Sequence, residues 1–207
     1  MAAKVSLLSI TPQSQVVIEK CTRICYNSED KITKDSHETF LPRIIKMGHI
    51  SPLSFAHASF HISGISRACS HQLVRHSHLR YLQRSQRYCT EESAEFLIPK
   101  NIKDSHRCAF YECIGNIQDT YRDWVNFGVK REDARCVLPN ATATEMCVAG
   151  NLQSWYDFLR LRLGKHAQWE IREVAKEIYK ILNFACPNIF TKELLEYQPT
   201  INLDIEE

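Results

Sequence analysis

The apolar residues of the chain follow two regular patterns. Over five stretches they recur at steps of three and four, a spacing that places them on one face of an α-helix. This spacing predicts helices over residues 16–26, 38–47, 106–127, 152–160 and 167–184. Shorter apolar runs at residues 5–10 and 55–62 are typical of β-strands. The sequence therefore predicts a fold that mixes helices with strands.

The composition is that of an ordinary globular protein. The chain has 207 residues, 44% hydrophobic and 24% charged, so we expect one domain over residues 1–207 with a substantial core. A net charge of +2 does not indicate general affinity for nucleic acid. No stretch has the pattern of a membrane span or a signal peptide. We expect a cytoplasmic protein that binds neither nucleic acid nor membranes.

The nine cysteines follow no metal-binding or disulfide pattern. They are scattered, odd in number and include no Cys-x-x-Cys pair, which argues against a zinc ribbon or a thioredoxin-type motif. A cluster of Cys69, His71, His76 and Cys89 is the alternative, but its histidines are five residues apart and miss the spacing that metal-binding helices favour. We predict free thiols in a reducing compartment and no metal site.

Residues 67–88 form the most unusual stretch of the chain. They contain five arginines, three histidines and three glutamines, with no lysine and no acidic residue. Because arginine presents a planar fork of donors, this composition indicates recognition of an anion such as phosphate. The alternative from composition alone is a basic surface hairpin.

The apolar pattern changes within this stretch. Helical spacing holds through its first half, and a two-residue alternation then places Gln83, Ser85 and Arg87 on one side of an extended segment. A helix that ends at residues 75–76 and leads into such a strand would surround one anionic ligand.

The same segment carries a family signature. It reads Arg75-His76-Ser77, seven residues, and Ser85-Gln86-Arg87-Tyr88. This resembles the signature of the flavin-dependent thymidylate synthases, which runs Arg-His-Arg, seven residues, Ser and, in most members, x-Arg-Tyr. The chain departs from the family at Ser77, where the signature has Arg, and at Arg80, where the family usually has Ser.

Two further blocks resemble the same family in the same order along the chain. Residues 134–139 read Ala-Arg-Cys-Val-Leu-Pro, and residues 161–172 contain Leu-Arg, four residues, and Ala-Gln-Trp-Glu-Ile-Arg. A third departure lies at residues 54–55, where the family commonly has Glu-His. Three ordered blocks are far more specific than one.

The resemblance implies a fold and a reaction. The fold is a single α+β domain with an antiparallel sheet flanked by long helices, assembled as a homotetramer whose active sites are shared between subunits. The reaction is the reductive methylation of dUMP to dTMP. Methylenetetrahydrofolate donates the one-carbon unit, and FAD reduced by NADPH carries the hydride.

The matched positions also imply the residues of the site. Arg162 takes the family's activating position, and we expect its guanidinium to project from a loop and stabilise charge on the uracil ring. The residues expected to bind dUMP are Gln72, Arg75, Gln83, Ser85, Gln86, Arg87, Arg135 and Arg162. The residues expected to bind FAD are Ser51, Arg75, His76, Gln83, Asn151 and His166.

Two other functions stay open at this stage. A flavin-dependent relative that acts on another pyrimidine nucleotide, or that forms a hydroxymethyl product, would suit the departures at Ser77 and Arg80. A non-catalytic nucleotide-binding homologue would keep the arginines without the flavin. A thiol nucleophile is not predicted, because no cysteine occupies a matched catalytic position.

Overall fold

The computed structural model describes residues 3–196, which contain four β-strands and eight α-helices. The strands are β1 (Lys4–Ile10), β2 (His57–Ser66), β3 (Arg80–Gln83) and β4 (Ala143–Asn151). The helices are α1 (Ser14–Ile24), α2 (His37–Lys46), α3 (Arg67–Leu73), α4 (Asp104–Asn126), α5 (Arg131–Ala134), α6 (Leu152–Arg162), α7 (Trp169–Ala185) and α8 (Lys192–Glu196). The strands form one antiparallel sheet in the order β1-β2-β4-β3. The predicted α+β class is confirmed.

Polar side chains cap the helices that carry the family blocks. Ser66 accepts a hydrogen bond from the backbone N–H of Cys69 at the start of α3. Asn151 accepts one from the backbone N–H of Ser154 at the start of α6, and Gln168 caps α7 in the same way. Each cap satisfies donors that have no partner within the helix, so the sequence fixes where these helices begin.

The described residues form two compact units, of which the first comprises residues 3–6 and 61–148. Its longest helix is α4, where only Ile114 and Tyr121 are buried. That residues 1–207 form one domain stays a prediction. Across residues 3–196, no helix has both the length and the apolar character needed to cross a membrane.

Three aromatic residues on α4 or just after it are exposed in this chain. Tyr111 is 57% exposed, Trp124 is 36% exposed, and Phe127, which follows the helix, is 80% exposed. Aromatic residues are enriched at surfaces that another chain covers.

The second unit comprises residues 7–60 and 149–196. At its centre Trp155 of α6 is fully buried. The indole N–H of Trp155 donates to the carbonyl of Ala58 at 3.1 Å, and its ring packs edge-on against Phe60 with centroids 4.9 Å apart. These contacts attach α6, the helix that ends at the predicted activating arginine, to β2.

Two predictions about the candidate residues are wrong. The extended segment does not continue to Arg87, because β3 ends at Gln83 and the chain then turns. In this turn Ser85 accepts two hydrogen bonds, one at its carbonyl from the Cys89 N–H at 3.0 Å and one at its hydroxyl from the Arg87 N–H at 3.2 Å. Arg162 does not lie in a loop, because helical hydrogen bonding continues to it and it is the last residue of α6.

Candidate functional site

A phenol adds to the backbone hydrogen bonds that close the turn between α3 and β3, which run from the His76 N–H to the Leu73 carbonyl and from the Leu79 N–H to the His76 carbonyl. The hydroxyl of Tyr81 is 2.6 Å from the carbonyl oxygen of Leu73 and 3.0 Å from that of His76. Both carbonyls lie at or just after the end of α3, where they have no partner within the helix. Tyr81 therefore ties the helix end to β3. Arg75, between the two carbonyls, is exposed and has no hydrogen-bond or ion-pair partner within residues 3–196.

Gln83 connects three elements of the first unit. Its Nε2 lies 2.9 Å from the hydroxyl of Ser70 in α3 and 3.2 Å from the hydroxyl of Thr144 in β4. Ser70 and Thr144 are buried, whereas Gln83 is half-buried. The sequence analysis predicted Gln83 but missed both hydroxyls, which lie 13 and 61 residues away along the chain.

An acidic residue joins two predicted arginines. The Nε of Arg87 donates to the carboxylate of Glu132 at 3.0 Å, and the Nε of Arg135 donates to the backbone carbonyl of the same residue at 3.0 Å. Arg131 adds a hydrogen bond to the Tyr88 carbonyl at 3.2 Å. The turn after β3 and the residue that follows α5 thus present Arg87 and Arg135 together. Glu132 was missed, and its position three residues before Arg135 was the only signal in the sequence.

A buried acid, Glu91, and a half-buried arginine, Arg67, both interact with Arg84, the residue that precedes Ser85. Arg67 donates from Nη2 to the carbonyl of Arg84 at 2.9 Å. Burial lowers the pKa of the Arg67 guanidinium, an effect that the negative charge of Glu91 opposes. Burial raises the pKa of the Glu91 carboxyl, which is 2% exposed, although Arg84 and Arg67 pull that pKa down. Both residues lie outside the predicted set.

A cavity of about 370 Å³ adjoins Glu91. Its polar lining includes Lys4, Ser63, Arg84, Glu91, Thr144 and Glu145. The Oε1 of Glu91 and the Nε of Arg67 are buried without a hydrogen-bond partner among residues 3–196. The mixed charge of the lining does not define one class of ligand.

The second unit holds four of the predicted residues. Ser51 is exposed, and its carbonyl accepts a hydrogen bond from the Ser54 hydroxyl at 2.7 Å. Asn151 uses its Oδ1 to accept from both the N–H and the hydroxyl of Ser154, each at 2.8 Å, which leaves its NH₂ group for a ligand. Arg162 is half-buried and His166 is exposed.

A side chain of the following helix, α7, holds the loop that carries His166. Arg172 donates from Nη1 to the carbonyl of Lys165 at 3.1 Å, and Gln168 caps α7. The family block at residues 161–172 therefore forms one helix end, a tethered loop and one helix start.

The structure divides the predicted site residues between the two units. Gln72, Arg75, His76, Gln83, Ser85, Gln86, Arg87 and Arg135 lie in the first unit, and Ser51, Asn151, Arg162 and His166 lie in the second. Within the first unit, contacts join Ser85 to Arg87, and Arg87 to Arg135 through Glu132. The binding roles of all these residues stay predictions.

The donor set in the first unit fits an anionic dinucleotide such as FAD. Arg80 donates from Nη1 to the carbonyls of Ser77 and Leu79, at 3.0 and 3.2 Å, and has no carboxylate partner within residues 3–196. Arg75 is likewise without a carboxylate there. Two guanidinium groups with uncompensated charge in one turn suit a diphosphate.

Arginines, glutamines and a serine turn presented together are typical of proteins that bind phosphorylated nucleotides. The family described as thymidylate synthase complementing protein, Thy1, matches residues 6–188, and the chain belongs to this family.

Curated relatives support the same assignment. The chain is similar to the flavin-dependent thymidylate synthase of Geobacter sulfurreducens, with 38% identity over 90% of this chain and 85% of the relative. It is similar to the flavin-dependent thymidylate synthases of Mycobacteroides abscessus and Mycobacterium tuberculosis, with 35% and 34% identity over 84% of this chain and 77% of each relative.

Proposed function

We propose that the chain is a flavin-dependent thymidylate synthase, a transferase that converts dUMP to dTMP. Methylenetetrahydrofolate donates the carbon, and NADPH supplies the electrons through FAD. Relatives with this name match the chain over most of their length. They do not favour the alternatives of another pyrimidine substrate or a non-catalytic homologue. The observation in the structure that carries the proposal is the pairing of Arg87 with Arg135 across Glu132, beside the Ser85 turn.

The first role of this cluster is to hold the nucleotide. Arg87 and Arg135 offer guanidinium donors to the phosphate of dUMP, and the turn that starts at Ser85 adds hydroxyl and backbone donors. Glu132 restricts the Arg87 side chain to one direction through its Nε, which leaves the Nη groups for the phosphate. Gln72 and Gln86 supply neutral polar contacts to the same ligand, and Arg75 adds a further cation.

Arg162 activates the pyrimidine. Carbon 5 of uracil is a weak nucleophile until negative charge develops on the ring. A fixed guanidinium beside a ring carbonyl stabilises that charge without a covalent bond to the enzyme. Arg162 is suited to this because the helix that ends with it is attached to β2 through buried Trp155.

The flavin is held by Ser51, Arg75, His76, Gln83, Asn151 and His166. When bound, reduced FAD supplies the hydride that completes the methyl group. Arg75 contributes positive charge toward the diphosphate, and the NH₂ group of Asn151 donates a hydrogen bond, because its carbonyl oxygen is already used in the cap of α6. His166 would add a further contact to the flavin, and its loop is held by the hydrogen bond from Arg172 to the Lys165 carbonyl.

We further propose a cytoplasmic homotetramer with shared active sites. The exposed aromatic side chains of Tyr111 and Trp124 on α4, and of Phe127 after it, support this assembly because aromatic residues are enriched at subunit interfaces. Light scattering on the purified protein tests it. A monomer at micromolar concentration would contradict the shared sites.

The test of the function is formation of dTMP. Purified protein with FAD, NADPH, methylenetetrahydrofolate and dUMP should form dTMP, and omission of any one should prevent this. Flavin-loaded, folded protein that forms no dTMP would refute the proposal.

Two variants then test the phosphate contact. Arg87→Gln should raise the KM for dUMP about tenfold or more, since a charged hydrogen bond to phosphate is lost. Arg107→Gln is the matched control, because Arg107 pairs with Asp104 at 2.9 Å on α4 and is as exposed as Arg87. The control should keep the wild-type KM.

A further inference from the structure

The amide of Gln83 is held by two buried hydroxyls. Its Nε2 lies 2.9 Å from Ser70 Oγ and 3.2 Å from Thr144 Oγ1. Ser70 is fully buried and Thr144 is 4% exposed, so neither hydroxyl has ready access to water as an alternative partner.

The direction of these hydrogen bonds follows from the chemistry of Ser70. Its hydroxyl donates its single proton to the backbone carbonyl of Arg67 at 2.9 Å. It can therefore only accept from Gln83. The nitrogen of the Gln83 amide, and not its oxygen, therefore faces Ser70.

The polar atom of the Gln83 side chain that stays available to a ligand is its Oε1. The two N–H bonds of Gln83 are taken by Ser70 and Thr144. The Oε1 atom of Gln83 has no hydrogen-bond partner among the residues that the structure describes. A ligand beside Gln83 meets a carbonyl oxygen that accepts and cannot donate.

We propose that Ser70 and Thr144 are positioning residues that hold Gln83 so that its Oε1 accepts a hydrogen bond from the bound deoxyuridine nucleotide. The inference rests on the proposed function. Two groups of dUMP have the required chemistry, the ring N3–H and the sugar hydroxyl. Cytosine carries an unprotonated acceptor at N3, so a contact at the ring would also select uracil over cytosine.

The test compares three ligands on two proteins. Equilibrium binding of dUMP, dCMP and 2′,3′-dideoxyuridine monophosphate is measured for the wild type and for Gln83→Met, which keeps the length of the side chain without the acceptor. Gln83→Met should bind dUMP about tenfold more weakly. The ligand that lacks the donor recognised by Gln83 should bind the wild type more weakly than dUMP does. For Gln83→Met, the same change of ligand should cost little further affinity.

The identity of that ligand distinguishes the two donors. If the change from dUMP to dCMP costs the wild type more affinity than it costs Gln83→Met, the donor is the ring N3–H. If the change to the dideoxynucleotide does so, the donor is the sugar hydroxyl. If both ligand changes cost the wild type and Gln83→Met the same factor, Gln83 contacts neither donor and the inference is wrong. Failure of the wild type to form dTMP would instead refute the proposed function, so the two failures are separate.

A second set of variants tests the positioning role and does not require Gln83→Met to fold. Thr144→Val removes the hydroxyl with little change of volume, so the amide gains freedom to rotate. It should weaken dUMP binding severalfold and reduce the discrimination against the ligand that lacks the donor. Thr144→Ser should restore both.

The matched control for these variants is Thr120→Val. The hydroxyl of Thr120 bonds to the Asn116 carbonyl at 2.8 Å within α4. This control should bind all three ligands like the wild type. A Thr144→Val protein with wild-type affinity and wild-type discrimination would overturn the positioning role.

Discussion

Asn151 has two separable tasks, and substitutions at this position distinguish them. Its Oδ1 caps α6 by accepting from the N–H and the hydroxyl of Ser154, both at 2.8 Å. Its NH₂ group is the part proposed to contact the flavin. Asn151→Ala removes both groups, whereas Asn151→Asp keeps the capping oxygen and removes the N–H donors.

The expected magnitudes follow from these contacts. Loss of an N-cap costs about 1 kcal/mol, and the half-satisfied Ser154 hydroxyl adds up to about 1 kcal/mol. For a chain of this size, Asn151→Ala should therefore lower Tm by about 3–6 °C. Asn151→Asp should leave Tm unchanged or raise it slightly, since a carboxylate at the start of a helix interacts favourably with the helix dipole.

Thermal unfolding followed by circular dichroism, together with flavin titration by absorbance, separates the two tasks. Both variants should bind FAD about tenfold more weakly, because both lack the donor. If Asn151→Asp is destabilised as much as Asn151→Ala, the Oδ1 of Asn151 does not stabilise α6 by about 1 kcal/mol. If Asn151→Asp binds FAD like the wild type, the NH₂ group does not contact the flavin.

Three further perturbations test the core and the buried groups. Trp155→Phe should cost about 2–3 kcal/mol in urea unfolding, because it loses the Ala58 hydrogen bond and leaves a cavity. Burial raises the pKa of Glu91 above its ordinary 4.5, so the folded chain holds the carboxyl proton more tightly than the unfolded chain does. The wild type should therefore lose stability relative to Glu91→Gln as pH rises from 4.5 to neutral. A stability difference independent of pH would contradict this. Burial raises the pKa of the Cys186 thiol to about 11, so iodoacetamide at mildly alkaline pH should leave it unmodified until the protein unfolds, as mass spectrometry of the digest will show.

The elements that local patterns determine were predicted well. The helix predicted at residues 106–127 is observed as α4, Asp104–Asn126, because helical periodicity and a following glycine are local signals. The extended segment was predicted to continue to Arg87, and this prediction is correct only up to Gln83. The turn that follows depends on hydrogen bonds at Ser85 that a two-residue alternation does not encode. The strand β4 was not assigned, since its small and β-branched residues gave no clear period.

For the candidate site, residue positions could be predicted from the sequence, whereas the contacts between them could not. The resemblance to the family supplied residue positions, such as Arg87 and Arg135, without their contacts. The link through Glu132 and the pairing of Gln83 with Thr144 join residues 45 and 61 positions apart, so only the folded chain reveals them. Their chemistry is unremarkable in sequence, where an isolated Glu or Thr is most often a solvated or core residue.

The most direct test is tritium release from dUMP labelled at carbon 5, in the presence of FAD, NADPH and methylenetetrahydrofolate. Arg160→Ala is the control for Arg162→Ala, because Arg160 lies on the same helix with its guanidinium 5.9 Å from the ring centre of Tyr156. The wild type and Arg160→Ala should release tritium, and flavin-loaded Arg162→Ala should not. Release by Arg162→Ala at the wild-type rate would contradict the activating role of Arg162, and absence of release from the flavin-loaded wild type would contradict thymidylate synthesis itself.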